Sequence, residues 1–164
     1  MTVREAGAAD LPLLQGIEAA ADQTFVALFG PLDWEEPSTG AWRARQPGFI
    51  LVAEEGARVV GFAHVLRLEG TAHLEQLAVH PDHHRHGHGS ALLAAVVDRV
   101  RTEGHGELTL STYAEVPWNA PYYRRHGFEV VERPGPLLQR LQEKEEQMGL
   151  TRYGPRVVMR VALR

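Results

Sequence analysis

From Thr71 to Val97 the chain reads T-A-H-L-E-Q-L-A-V-H-P-D-H-H-R-H-G-H-G-S-A-L-L-A-A-V-V, and this stretch restricts the fold more than any other. Leu74 to Val79 is short, mostly apolar and closed by Pro81, which suits a buried strand. From Ser90 to Val100, apolar residues fall at Leu92, Leu93, Val96, Val97 and Val100, the spacing of one helix face. Between them Gly87 and Gly89 stand one residue apart in a loop that leads straight into the helix. Glycine lets backbone come close to a ligand, and the first-turn N–H groups have no partner within the helix. With the helix dipole behind them, those donors favour a phosphate or pyrophosphate.

Bulk properties narrow the choice further. At 164 residues the chain suits one domain, residues 1–164, large enough for a real core. A net charge of −4 gives no support to a nucleic-acid binder, which needs a basic face. There are no cysteines, so disulfides and thiolate metal sites are excluded. No apolar run reaches a membrane span and no signal peptide is apparent, so a cytoplasmic, soluble protein without membrane or nucleic-acid partners is expected.

Thr2 to Ala6 suits an edge strand. Asp10 is placed to cap a helix from Leu11 to about Asp22, with Leu13, Leu14 and Ile17 inward and Pro12 in its first turn. Gln23 to Trp42 reads as a short helix followed by a loop. Phe49 to Glu54 and Val59 to Leu68 are strands joined by a turn at Glu55–Arg58. After the central helix come a strand from Glu107 to Tyr113, a short helix from Pro121 to His126 stopped by Gly127, and an extended run from Phe128. Gly135 to Gln147 reads as an amphipathic helix with Leu137, Leu138 and Leu141 inward and Glu143 to Glu146 solvated. Arg156 to Leu163 is a last strand.

G-x-x-x-x-G-K-[ST] is absent, and no third glycine completes G-x-G-x-x-G, so the common nucleotide loops do not fit. The stretch instead resembles the coenzyme A loop of the GNAT N-acetyltransferase superfamily, [QR]-x-x-G-x-[GA], present here as His84-Arg85-His86-Gly87-His88-Gly89. His84 departs from the pattern's first position. Leu77 to Pro81, L-A-V-H-P, is similar to the family's fourth strand, and Tyr123 to Phe128, Y-x-x-x-G-F, to its second hallmark. The resemblance covers nearly the whole chain. It implies an α/β (α+β) fold with a mixed, mostly antiparallel central sheet of about seven strands and about four flanking helices, splayed between its two central strands.

The implied function is direct transfer of an acetyl group from acetyl-CoA to a primary amine, with acetyl-CoA (coenzyme A) as co-substrate and no metal. A catalytically silent acyl-CoA-binding module is the competing reading. The resemblance assigns coenzyme contacts to Leu77, Ala78, Val79, His84, Arg85, His86, Gly87, His88, Gly89, Ser90, Asn119 and Tyr123. It makes the Leu77 N–H the oxyanion donor and Tyr123 the acid for the leaving thiolate. Glu75 and His73 are the candidate bases: two apart on a strand, they share a face, and in the family that face looks toward the acceptor. His80, His83, His84, His86 and His88 are expected to assist Arg85 in attracting phosphates rather than to bind a metal. Glu18, Asp22, Phe25, Phe29 and Trp34 fall where the family builds its acceptor wall. The acceptor amine stays open, and a homodimer is compatible with the chain.

Overall fold

The computed structural model describes residues 1–164. In order, the elements are β1 (Thr2–Glu5), α1 (Leu11–Phe29), α2 (Gly40–Ala44), β2 (Gly48–Glu55), β3 (Arg58–Leu68), β4 (Thr71–Val79), α3 (His88–Thr102), β5 (Glu107–Tyr113), α4 (Ala120–Arg125), β6 (Glu129–Val130), α5 (Pro136–Gln147) and β7 (Arg156–Ala162). Short 3-10 turns occupy Pro81–His83 and Leu150–Tyr153. The seven strands form one sheet in the order β1-β2-β3-β4-β5-β7-β6. Every pairing is antiparallel except β4 with β5.

Phe49 to Ala53 is apolar at every position, so β2 needs cover on both faces of the sheet. On one face Phe49, Leu51, Val65, Leu74, Leu108 and Leu110 meet Leu92, Leu93, Val96 and Val100 of α3. On the other, Ile50, Val52, Phe62 and Ala78 meet Leu14 and Ile17 of α1. Each fully buried leucine or valine contributes about 1.5–3 kcal/mol by leaving water. No helix is long and apolar enough to cross a membrane.

Several sequence expectations need correction. The first helix does not end at Asp22 but runs to Phe29, because Phe25 and Phe29, one turn apart, stack at 5.7 Å and join an aromatic cluster. Leu13 faces solvent. Asp10 sits at the N-cap without capping: its carboxylate accepts instead from Arg4, at 2.7 Å, and from the Gly7 N–H, at 2.7 Å. In α5, Leu137, Leu138 and Leu141 are only half-buried. Nor is its acidic side wholly solvated, since Glu145 bonds Ser111 at 2.7 Å and Arg156 at 3.0 Å. There are five α-helices, one more than expected.

The β3–β4 register carries a bulge. His64 pairs with Gln76 and Val65 with Leu74, so Glu75 is the extra residue of β4. A bulge re-aims a side chain, and Glu75 is thereby carried toward α2. That helix lies close to α1 because Gly40 is buried against it: a Cβ on Gly40 would sit 1.9 Å from the Leu11 carbonyl oxygen. Gly40→Ala should therefore lower stability by about 1–3 kcal/mol, as overpacking does. A urea-denaturation midpoint equal to wild type would show that α2 can shift freely on α1.

Candidate active site

β4 and β5 stay paired only from Ala72–Leu74 to Leu108–Leu110. β4 continues to Val79 and β5 to Tyr113, so beyond that ladder they part. In an antiparallel ladder alternate residues turn their polar groups to the same neighbour. His80 donates to the Val60 carbonyl at 2.8 Å, so Gln76 and Ala78 also face β3, while Leu77 and Val79 turn theirs into the gap. A cleft of about 1610 Å³ opens there, with Leu77, Ala78 and Val79 on one side and Asn119, Tyr122 and Tyr123 on the other.

At one end of the cleft is the glycine loop. Arg85 and Gly87 are both left-handed, with φ of 67° and 81°, which curls successive N–H groups into one concavity. None of the N–H groups from Arg85 to Ser90 has an acceptor in the protein. The α3 dipole adds its positive end at the same point. Ser90 Oγ pairs with the Tyr122 hydroxyl at 2.9 Å. A Cβ on Gly89 would face that hydroxyl at 3.7 Å and Val79 Cγ2 at 3.8 Å, so a larger side chain there would enter the cleft.

The histidines do not surround this concavity as expected. His83, His86 and His88 converge on Glu55, and His80 Nδ1 accepts from the Asp82 N–H at 3.1 Å. His84 Nε2 lies 3.0 Å from the Val79 carbonyl and so donates to it. Arg85 remains exposed at the loop.

On the α1 side, Arg43 of α2 is the hub. Its side chain is 2% exposed. It donates to Glu75, to Glu18 at 2.7 Å and to His64 Nδ1 at 2.8 Å. Because a guanidinium only donates, His64 Nδ1 is the acceptor of that bond. Burial would raise Glu75, but the His64 contact and the Arg43 charge outweigh it and hold the carboxylate down at about 2. Burial pushes Glu18 up to about 7, with Arg43 opposing and the charges of Asp22 and Glu75 adding to it. Asp22 is likewise raised by burial to about 6, against a hydrogen bond with Trp34.

His73 shares this face of the sheet and lines the cleft. Its Nδ1 is 2.8 Å from Thr109 Oγ1, whose own hydroxyl donates to the Ala72 carbonyl at 3.4 Å. That leaves Thr109 to accept from Nδ1–H, and the lone pair to Nε2. Burial lowers the pKa of His73, with Glu75 and Glu145 pulling the other way, so the imidazole is neutral. Tyr123 is buried and its hydroxyl has no partner in the protein; burial, then Tyr122, keeps its phenol well above the usual range. Asn119 Oδ1 accepts from the Tyr113 N–H at 3.4 Å. Phe25 gathers Trp34 at 5.7 Å, Tyr113 at 5.9 Å and Trp118 at 5.5 Å at the cleft mouth.

The expected loop, β4, Asn119 and Tyr123 residues thus line one cleft or its rim. Arg43, His64, Thr109 and Trp118 were missed. Thr39, which caps α2 by accepting from the Trp42 N–H at 3.1 Å, was the one local signal near Arg43.

Residues 15–128 match the Acetyltransferase (GNAT) family. A mycothiol acetyltransferase of Nocardiopsis dassonvillei is 42% identical over 79 residues, covering 44% of this chain and 24% of that protein. The chain spans about a quarter to a third of the length of the curated relatives it matches. Among solved structures, the ribosomal-protein-alanine N-acetyltransferase of Brucella melitensis superposes with a TM-score of 0.71 at 23% identity, covering 99% of this chain and 100% of that one. The PaiA N-acetyltransferase of Thermoplasma acidophilum, in complex with coenzyme A, gives 0.68 at 15% identity and covers 98% of both chains. At these identities the structures show a shared fold.

The acidic cluster has a stability signature. From about pH 4.5, the usual carboxyl value, to about 7, the folded chain holds a proton on Glu18 that the unfolded chain has lost. Stability therefore falls as pH rises through that window, by at most on the order of 3 kcal/mol. Asp22 adds a similar decline ending near 6. Glu75 acts oppositely: its contribution is lost only as pH drops from about 4.5 toward about 2. In Glu18→Gln the fall in unfolding free energy between about pH 5 and 7.5 should be shallower than in wild type. Equal slopes would mean that Glu18 titrates normally.

Proposed function

The chain belongs to the GNAT acetyltransferase family, and from that premise we propose that it transfers an acetyl group from acetyl-CoA directly to a primary amine. One observation carries the reading. β4 and β5 part where a row of unused backbone donors, Leu77 and Val79, leads to the unused N–H groups of the Arg85–Ser90 loop. A pantetheine arm can add to β4 as a strand would, and the loop and helix N-terminus match its pyrophosphate. Leu77 N–H then points to where a thioester oxygen gains charge.

The chemistry needs a proton taken from the amine, an oxyanion held and a thiolate released. As nitrogen attacks the acyl carbon, the C–S bond breaks and the amine's proton must leave. His73 suits that task better than Glu75. It is neutral, its Nδ1 is fixed by Thr109, and Nε2 offers a lone pair to the cleft, directly or through one water. Glu75 is bound to Arg43 and too weakly basic; its fixed negative charge instead draws the ammonium form of the acceptor into the cleft. There one proton passes to water to free the lone pair before attack, and the second leaves to His73 as the C–S bond breaks. Tyr123 donates a hydrogen bond to the departing sulfur. Its raised pKa makes it a stabiliser of the thiolate that stays neutral between turnovers.

The relatives bear names with unlike acceptors, mycothiol and a ribosomal-protein alanine, so the acceptor is argued from the wall. Glu18, Asp22 and Glu75, with the faces of Phe25, Trp34 and Trp118, favour a cationic amine. A screen of cationic, neutral and acidic amines with acetyl-CoA, following free thiol, tests this. Thiol release should be fastest with cationic amines; coenzyme binding without release for any amine would favour the silent-module reading.

Two variants examine the roles. Tyr123→Phe keeps the packing and should cut turnover by roughly 10²–10⁴-fold with little change in acetyl-CoA affinity; wild-type turnover would pass the role to water. His73→Gln should slow the reaction more than Glu75→Gln and flatten the acidic limb of the pH–rate profile, where the imidazole gains its proton. The reverse order would return the base to Glu75.

A further inference from the structure

The histidines that leave the phosphate concavity meet elsewhere. Glu55, the last residue of β2, receives His86 Nδ1 at 3.0 Å and has His88 Nε2 at 3.5 Å from the same oxygen, Oε1. His83 Nδ1 holds the other oxygen, Oε2. One ligand atom from each of Glu55, His86 and His88 lies within 4.8 Å of the other two. Two separate segments of chain supply these groups: the end of β2, and the glycine loop where it enters α3.

His88 is the observation that asks for a ligand. Its side chain is 1% exposed, yet neither ring nitrogen has a hydrogen-bond partner. At 3.5 Å, its approach to Glu55 lacks hydrogen-bond geometry. A buried polar group left without a partner is costly. A divalent ion answers all of it: the carboxylate and the imidazole lone pairs become ligands at once.

We infer that Glu55, His86 and His88 form a binding site for a divalent transition-metal ion of the zinc class. The donors are one carboxylate and two imidazoles, a set that suits zinc, cobalt or nickel rather than calcium or magnesium, which prefer oxygen. His83 fixes the carboxylate from outside or enters as a fourth ligand; outer partners of this kind orient ligands and strengthen metal binding. The site shares the loop backbone with the pyrophosphate cradle but holds neither His73, Tyr123 nor the Leu77 N–H, so the ion is no cofactor of the acyl-transfer step. It clamps the β2–β3 turn to the loop on either side of Gly87. A clamped loop presents its N–H groups already ordered, which strengthens binding of a phosphate-bearing ligand.

The test uses tag-free, chelator-treated protein. Zn²⁺ is titrated by calorimetry and Co²⁺ by its visible absorption, both without coenzyme. One ion per chain is expected, with cobalt bands of a low-coordinate nitrogen and oxygen site. Glu55→Gln and His88→Ala should each abolish stoichiometric binding, and His83→Ala should weaken it by roughly 10–100-fold. Circular dichroism and melting confirm that the variants are folded. If His88→Ala does not fold, Glu55→Gln, a change at the partly exposed end of β2, decides alone. Wild-type protein that takes up no stoichiometric ion overturns the inference, as does unchanged binding in folded Glu55→Gln. Coenzyme A affinity measured with Zn²⁺ and with chelator should then differ in wild type and not in Glu55→Gln; no difference in wild type would overturn the clamp.

Discussion

The architecture turns on a single short parallel ladder. β4 and β5 hold together from Ala72–Leu74 to Leu108–Leu110 because α3 covers that face with Leu92, Leu93 and Val96. Beyond it each strand exposes backbone groups that a continuous sheet would have paired. The protein satisfies only some of them. Asn119 accepts from the Tyr113 N–H, and His84 donates to the Val79 carbonyl. The Leu77 and Val79 N–H groups are left. Backbone donors inside a protein are rarely unused, so the pattern of which are answered and which are not outlines the ligand. His84 is notable here, because its ring occupies a carbonyl on the very edge a strand-like ligand would join.

Much of this was legible in the chain, for reasons that differ from element to element. The strand–loop–helix unit was readable because its signals are local: an apolar run, two glycines and a 3.6-residue period. Helix α1 was cut short because Phe25 and Phe29 only make sense as helical residues once Trp34, Tyr113 and Tyr153 are seen around them. The shared face of His73 and Glu75 followed from strand alternation, although a bulge at Glu75 intervenes. Arg43 could not have been found. Its role depends on Glu18, His64 and Glu75, which come from α1, β3 and β4, and nothing in its own segment marks it as buried. The histidine run was misjudged for the same reason, since Glu55 lies in a different hairpin.

Arg43 also settles how the polar groups divide their work. One guanidinium serves two carboxylates, and the two do not share it equally. Glu75 is held down by its contacts with Arg43 and His64 and stays charged; Glu18, raised by burial with the charges of Asp22 and Glu75 adding to it, sits close to half-protonated at neutral pH. The network thus carries a net negative charge when the cleft is empty, and Glu18 is its member closest to exchanging a proton. An arriving ammonium shifts that balance, because a positive charge near Glu18 favours its ionised form. Binding of a cationic acceptor should release a fraction of a proton from Glu18, while a neutral amine should not. Calorimetry in buffers of different ionisation enthalpy would detect the proton, and its persistence in Glu18→Gln would move the source to Asp22. The acidic wall thus does more than attract the amine: it converts the acceptor's charge into a change of protonation at Glu18, leaving His73 neutral to take the proton that the transfer itself must shed.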